Sequence, residues 1–569
     1  MATDVDIPKR QITPVPPPVL PVSSLPQKRA LEDDHAPPVS SPLNPNPDPK
    51  LSKTQSHDDL TTMARDKPSR VKKEALKKRE SKGGLGADSS RATPDPKVRD
   101  LPPSESSPLR YKLAPPKPSD FEPARGPVFV HHHDTSMFDG STVAFYETSE
   151  HVYNKKNYHY THCIADPAFP SSFYYRQTEP EPHGPHISFE DASTNMYLDQ
   201  SGRHVTTDKG FRMARANVAV REGTWYWECK ITRGTVKSPD GSKGESNGHV
   251  RMGFARREAS LDAPVGFDAY SYGIRDVQGQ KVHMSRPKDF FPPGEDIKEG
   301  DVIGLEIQLP SEQLHRKVVQ GQFNPAVDLL AEEEPTNEAA NIVRDRIPIR
   351  FKAHIYFEKI DYHPTKELED LTNPSPMGPT GAINNRPSDP PNPNHQCPAL
   401  RTLPKSCIRI YKNGELMGTP FTDLLAFLPP ASKPQPQVGA REGMDNGTVG
   451  YYPAISVFRG GAAEVNFGPE FWYPPPGYTS AAAKQQEDVS MVDADTVTVA
   501  SSSGQIKPVA ERYDEQVVED VVADIVDEVD FWMQDGARVI DRTGGRDEKA
   551  ETVGIAPAQE EIKELVQDD

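Results

Sequence analysis

Through the middle of the chain, apolar residues fall on alternate positions in short runs. In Trp225-Tyr226-Trp227-Glu228-Cys229-Lys230-Ile231 one face would carry Trp225, Trp227, Cys229 and Ile231, and the other Tyr226, Glu228 and Lys230. A period of two predicts a half-buried strand. Further β-patterned runs cover Phe211 to Ala216, Val250 to Ala255, Val302 to Leu309, Ile349 to Phe357, Ile408 to Tyr411, Ala454 to Phe458 and Ala463 to Phe467. Turn residues separate them, which is the pattern of an antiparallel β-sandwich. Asn413-Gly414, between Ile408-Arg409-Ile410-Tyr411 and Glu415-Leu416-Met417, is the strongest hairpin signal, because both residues tolerate the positive φ of a type I′ turn. The predicted fold class is all-β, with one sandwich over residues 108–478. Two stretches break the pattern, near 310–348 and 364–404, and read as mobile surface insertions.

The period changes near the C-terminus. Val517 and Val518, Val521 and Val522, Ile525 and Val526, then Val529 and Trp532 recur about every four residues, which predicts a helix over 515–533 with one apolar stripe. Its other face is acidic, with Glu519, Asp520, Asp524, Asp527, Glu528 and Asp530. Valine is a mediocre helix former and a short helix carries a costly nucleus, so this helix is expected to form fully only when its stripe is covered. An acidic linker over 479–514 would hold it away from the sandwich, favouring docking into a partner's groove over packing back. A disordered acidic tail is expected over 534–569.

Composition adds a third region. Residues 1–107 contain no Phe, Trp or Tyr, and the chain as a whole has 60 prolines and a mean hydropathy of -0.70. Such an arm buries too little apolar surface to offset chain entropy and is predicted to be disordered. Within it Lys72, Lys73, Lys77, Lys78 and Arg79 form a basic segment suited to nuclear import or to DNA phosphates. The formal charge of -18 opposes any broader nucleic-acid affinity. Cys163, Cys229, Cys397 and Cys407 show no zinc spacing and fit a reducing compartment. No secretory leader or bilayer-spanning run is apparent, so a soluble intracellular protein is expected, with no membrane partner.

Candidate chemistry is sparse. His131-His132-His133-Asp134 and the group His151, His159, His162 and Cys163 match no ligand spacing such as H-E-x-x-H. A metal-dependent hydrolase would need His151, His159 and His162 to converge. Gly83-Gly84-Leu85-Gly86 follows no strand and is no phosphate loop, and no Gly-x-Ser-x-Gly elbow occurs. No enzyme, metal or cofactor is expected.

Three motifs carry a resemblance: Gly223-Thr224-Trp225-Tyr226-Trp227-Glu228, Gly300-Asp301-Val302-Ile303-Gly304, and Tyr411-Lys412-Asn413-Gly414-Glu415 with Val465-Asn466-Phe467-Gly468. They resemble the SPRY domain, a sandwich used for protein recognition. The runs Gly210 to Ala216, Val220 to Tyr226, Ala263-Pro264-Val265-Gly266-Phe267-Asp268 with Tyr270 to Tyr272, Arg110 to Pro115 and Phe351 to Glu358 narrow this to one family. The chain is similar to the trithorax-group "absent, small or homeotic discs" SPRY subunit of COMPASS-type histone H3 lysine-4 methyltransferase complexes.

The resemblance implies a non-catalytic scaffold and allosteric subunit in the nucleus, partnered by a WD40-repeat subunit, a small dumpy-type four-helix dimer and a SET-domain methyltransferase. It implies that Phe211, Arg251, Pro264, Phe267 and Arg275 form a pocket for an acidic segment of the WD40 subunit. Two of these positions carry Phe where animal members carry Tyr. It also implies that Val518, Val522, Ile525, Val526 and Val529 dock the dimer. Nucleosomal DNA is a further expected contact of the basic arm. The animal members' Cys-rich finger and winged helix are not visible, so the architecture resembles the fungal type. The competing reading is a SPRY substrate receptor of a ubiquitin ligase, for which no RING, B-box or cullin box is apparent.

Overall fold

Trp225, Trp227, Cys229 and Ile231 project from one face of the strand Gly223–Arg233 into the largest apolar cluster of the protein. Opposite them, Val250, Met252 and Phe254 of His249–Ala255, and Ile455 and Val457 of Tyr452–Phe458, enter the same cluster from a second sheet. The computed structural model describes residues 110–111, 116–148, 158–165, 175–236, 247–330, 342–345, 347–351, 354–373, 389–435, 443–478, 505–533, 539–540 and 563–564. All of them belong to the C-terminal of the two units into which the chain divides, Pro94–Asp569. Residues 1–107 with the basic segment Lys72 to Arg79, and most of 479–514, lie outside the described residues.

The first sheet has ten strands among the described residues, and its central ladder runs Ala462–Asn466, Gly223–Arg233, Val302–Leu309, Cys407–Lys412, Glu415–Thr422. The second has seven and is centred on Ser271–Arg275, His249–Ala255, Tyr452–Phe458 and Arg212–Ala216. Both central ladders are antiparallel. Asn413 and Gly414 turn the hairpin at φ 50° and 86°, with Lys412 opposite Glu415, as a type I′ turn requires. A third sheet of five strands includes Tyr158–Ala165, Pro348–Phe351 and His354–Ile360.

Several elements depart from the sequence expectation. Ile349 to Phe357 is a hairpin of two strands rather than one, because Phe351 pairs with His354. The strand Gly223–Arg233 is buried on both faces. A segment after Phe467 lies over the expected polar face, where its Trp472 and Tyr473 amides both donate to Glu228 at 2.7 Å, and Asn466 donates at 3.2 Å. These bonds hold the carboxylate in a site whose burial pushes its pKa up.

Both insertions are partly structured. Glu312–Gln320 is a helix, capped by the Ser311 side chain, that buries Leu314, His315, Val318 and Val319. Lys366–Thr372 is another, burying Leu368 beside Leu400. Proline-rich flanks hid these short amphipathic segments. In the expected tail, Val539–Ile540 pairs with Arg110–Tyr111 and Lys563–Glu564 pairs with Ile349 and Arg350, both in parallel.

Candidate protein-interaction sites

Arg251 and Arg275 are direct cross-strand partners, so both guanidinium groups leave the outer face of the second sheet. Gly253 and Gly273 pair one step further along that face. A Cβ on Gly273 would lie 3.0 Å from Val265 Cγ1, so glycine lets the loop from Arg256 to Tyr270 lie directly on the sheet. Within that loop Phe267 N donates to Pro264 O at 3.0 Å, closing a turn with Gly266 at φ +85°. Val265 N donates to Ser456 Oγ at 3.1 Å, and Ser456 is Arg251's register partner on its other side. The turn is thereby fixed beside the arginine pair.

Phe211 forms the opposite wall. The Arg251 guanidinium lies 4.5 Å over its ring, and the ring packs against Phe458 at 4.7 Å between centroids. The structure thus brings Phe211, Arg251 and Arg275 together, with Pro264 and Phe267 on the adjoining turn and Phe267 46% exposed. Burial and the neighbouring Arg275 charge draw Arg251 down to about 10, still charged at neutral pH. Burial lowers Arg275 as well, and its Nε is a buried donor without a partner among the described residues. Two neighbouring cations with no ion-pair partner among the described residues, flanked by an exposed aromatic ring, suit a carboxylate-bearing ligand.

The C-terminal helix spans Val509–Met533 and so begins within the expected linker. Ile506–Pro508 pairs in parallel with Thr224, Trp225 and Tyr226, filling the place beside Gly223–Arg233 that the strand Ala462–Asn466 leaves at its end. Ala510 N then donates to Phe467 O at 2.9 Å, and Val509 is fully buried. Arg512, 5% exposed, donates to Ala219 O at 3.0 Å and grips both oxygens of Glu519 at 2.6 and 2.8 Å. Tyr513 Oη donates to Glu179 at 2.6 Å, and Asp520 is held by Arg344 at 2.5 Å and Gln177 at 3.0 Å.

Beyond this base the stripe is bare. Val518, Val522, Ile525, Val526 and Val529 are 62, 52, 53, 54 and 49% exposed. A helix expected to need a partner for its formation is formed with its apolar face uncovered, because the anchored first turns supply the nucleus that an isolated segment lacks. The anchor residues were not singled out from sequence. Arg512 with Glu515 and Glu519, at i+3 and i+7, was the available signal.

Among the described residues the histidines form no ligand cluster. His131 pairs with Asp134 at 2.9 Å, His132 stacks on Tyr197 at 3.9 Å, and His162 faces Glu190 at 3.3 Å. His151 and the side chain of His159 lie outside the described residues. Among the described residues no group of three or more His, Cys, Asp or Glu side chains could hold a metal ion. No disulfide joins Cys163, Cys229, Cys397 or Cys407.

No family model matches the chain. A whole-length relative does. The chain is 63% identical over 583 aligned residues to "COMPASS component cclA" of Colletotrichum higginsianum, covering all of both chains. It is 37% identical to "Set1 complex component ash2" of Schizosaccharomyces pombe, over 74% of this chain and 52% of that one. A solved human SPRY domain aligns with 49% of this chain and 98% of its own length, at 13% identity and a TM-score of 0.22. With nearly two residues in three shared across its full length, the chain belongs to the COMPASS component cclA family.

Proposed function

We propose that this chain is a non-catalytic scaffold and allosteric subunit of a nuclear COMPASS-type complex, where it promotes methylation of histone H3 lysine 4. The observation that carries the reading is the full-length match to a protein named as a COMPASS component, seconded by a relative named as a Set1 complex component. Two surfaces of complementary chemistry support the mechanism. The Arg251–Arg275 pair, walled by Phe211 and the Pro264–Phe267 turn, receives an acidic segment of a WD40-repeat subunit. The exposed face of Val518, Val522, Ile525, Val526 and Val529 enters the groove of a small dumpy-type helical dimer, where its burial contributes roughly 25 cal/mol per Å² of apolar surface.

Both surfaces lie within the unit Pro94–Asp569, and the helix base is tied to the first sheet by Ile506–Pro508, to the Ala219 carbonyl by Arg512, and to Arg344 and Gln177 by Asp520. A scaffold of this kind acts by holding two partners at a set separation, so that the SET domain they contact is kept in its active arrangement. The basic arm with Lys72, Lys73, Lys77, Lys78 and Arg79 supplies nuclear import or contact with nucleosomal DNA.

Reconstitution tests the reading. A SET-domain subunit, a WD40 subunit and the small dimer are assayed for methyl transfer to an H3 peptide with and without this chain. The expected result is a marked rise in rate on adding the chain and none from the chain alone. Transfer by the chain alone, or a rate indifferent to it, would overturn the proposal.

A further inference from the structure

The outer face of the second sheet carries one more ionisable nitrogen group in line with the arginine pair. His249 precedes Arg251 by two residues on the same strand, so the two side chains leave the same face. Rings connect them. The His249 imidazole stacks on Phe458 at 6.1 Å between centroids, Phe458 lies 4.7 Å from Phe211, and Arg251 lies 4.5 Å over Phe211. Arg275, Arg251 and His249 therefore share one face, with the two phenylalanines between the last pair.

A neighbouring carboxylate fixes which nitrogen of His249 carries the proton. Asp276 Oδ2 is 3.0 Å from Nδ1, and the carboxylate is itself pinned by the amides of Val250 at 3.1 Å and Val277 at 2.9 Å. The neutral ring thus keeps its hydrogen on Nδ1 and offers only a lone pair at Nε2. Protonation turns Nε2 into a charged donor. The side chain is 32% exposed, which leaves it open to a ligand. The charged groups around it are Asp276 after the Ser271–Arg275 strand, Arg251 on its own strand, Arg275 on the opposite strand, and Arg459, whose guanidinium lies 5.1 Å over Phe458. The bond to Asp276 raises the imidazole's pKa, against burial and the two strand arginines.

We infer that His249 is a third anion-binding group of the Arg251–Arg275 site, a donor that engages only when protonated, and that the site takes a peptide with carboxylates spread over several residues. This rests on the acidic-peptide reading of that site. It adds a residue to the site and a dependence on pH that the two arginines alone would not give.

The test is fluorescence anisotropy of a short labelled Glu/Asp-rich peptide titrated with the full chain between about pH 8 and about pH 6, where the peptide's own carboxylates stay ionised. The wild type is expected to bind about fivefold tighter at the acid end, the scale of one partly exposed charge-assisted bond. His249→Gln should abolish that gain while leaving the alkaline affinity within about twofold, and His249→Lys, a permanent cation, should bind tightly at both ends. An unaltered pH profile in His249→Gln, or His249→Lys binding no tighter than wild type at about pH 8, would overturn the inference even if Arg251→Ala weakens binding. An Arg251→Ala variant that binds as well as wild type would instead remove the acidic-peptide reading itself.

Discussion

Arg251 and Arg275 stand directly opposite each other on neighbouring antiparallel strands, and among the described residues neither has a carboxylate at ion-pair distance. Asp276, whose charge acts on both arginines, is committed to His249 and to two backbone amides. Like charges in that register repel, so the free protein bears a cost that a carboxylate ligand relieves. Arg251→Ala or Arg275→Ala should therefore weaken an acidic WD40-subunit peptide by about 1.5–3 kcal/mol. Neither should lower the melting temperature of the free chain. Calorimetry and a thermal melt check both halves, and unchanged affinity would remove the pocket assignment.

The valine stripe makes the converse prediction. Val526 is 54% exposed, so Val526→Glu should leave the stability of the free chain within about 0.5 kcal/mol. The same charge buried in a partner's apolar groove has no counterion, and docking of the small dimer should be lost. Co-elution of the variant with the dimer on a sizing column would show that the stripe is not the docking face.

At the base of the helix the effect should fall on the chain itself. Arg512→Ala leaves the buried Ala219 carbonyl without its donor and frees Glu519. A loss of about 1–3 kcal/mol in chemical denaturation is expected, with the C-terminal helix the first element to exchange its amides. Stability equal to wild type would mean the helix is not held by this anchor.

His315 predicts acid sensitivity. It is fully buried, and its Nε2 accepts from Phe427 N at 3.1 Å and Leu428 N at 3.2 Å, so it must stay neutral in the fold. Burial and the surrounding arginines hold its pKa well below the ordinary value of 6.5. Below about pH 6.5 the unfolded chain takes up a proton that the folded chain refuses, so stability falls as pH falls. His315→Leu should remove that component of the pH dependence while costing about 2–4 kcal/mol at neutral pH, through two orphaned amides. Urea titrations at several pH values would check it, and an unchanged acid slope in the variant would contradict the assignment.

Much of this architecture was legible in the chain because period-two burial and Asn-Gly turns are local signals. Val302–Leu309 and the Asn413-Gly414 hairpin fall where the pattern places them. The second face of Gly223–Arg233 was not legible, because Glu228 is buried by amides more than two hundred residues away in sequence. The helix base was missed for a similar reason: Arg512 and Asp520 find Ala219 and Arg344 only after the sheets have assembled. Arg251 and Arg275 could be proposed from a family resemblance, yet their opposition across a strand pair is a fact of register that sequence does not carry. His249 was not singled out from sequence; only the fold brings Asp276 and Phe458 to its sides.

The most direct test of the central claim is affinity purification of the full chain from its native cells, read by mass spectrometry, beside a variant lacking residues 515–533. A SET-domain methyltransferase and a WD40 subunit should be recovered with both forms, and a small helical dimer with the full chain alone. Recovery of cullin or RING components in their place would contradict the assignment to a methyltransferase complex.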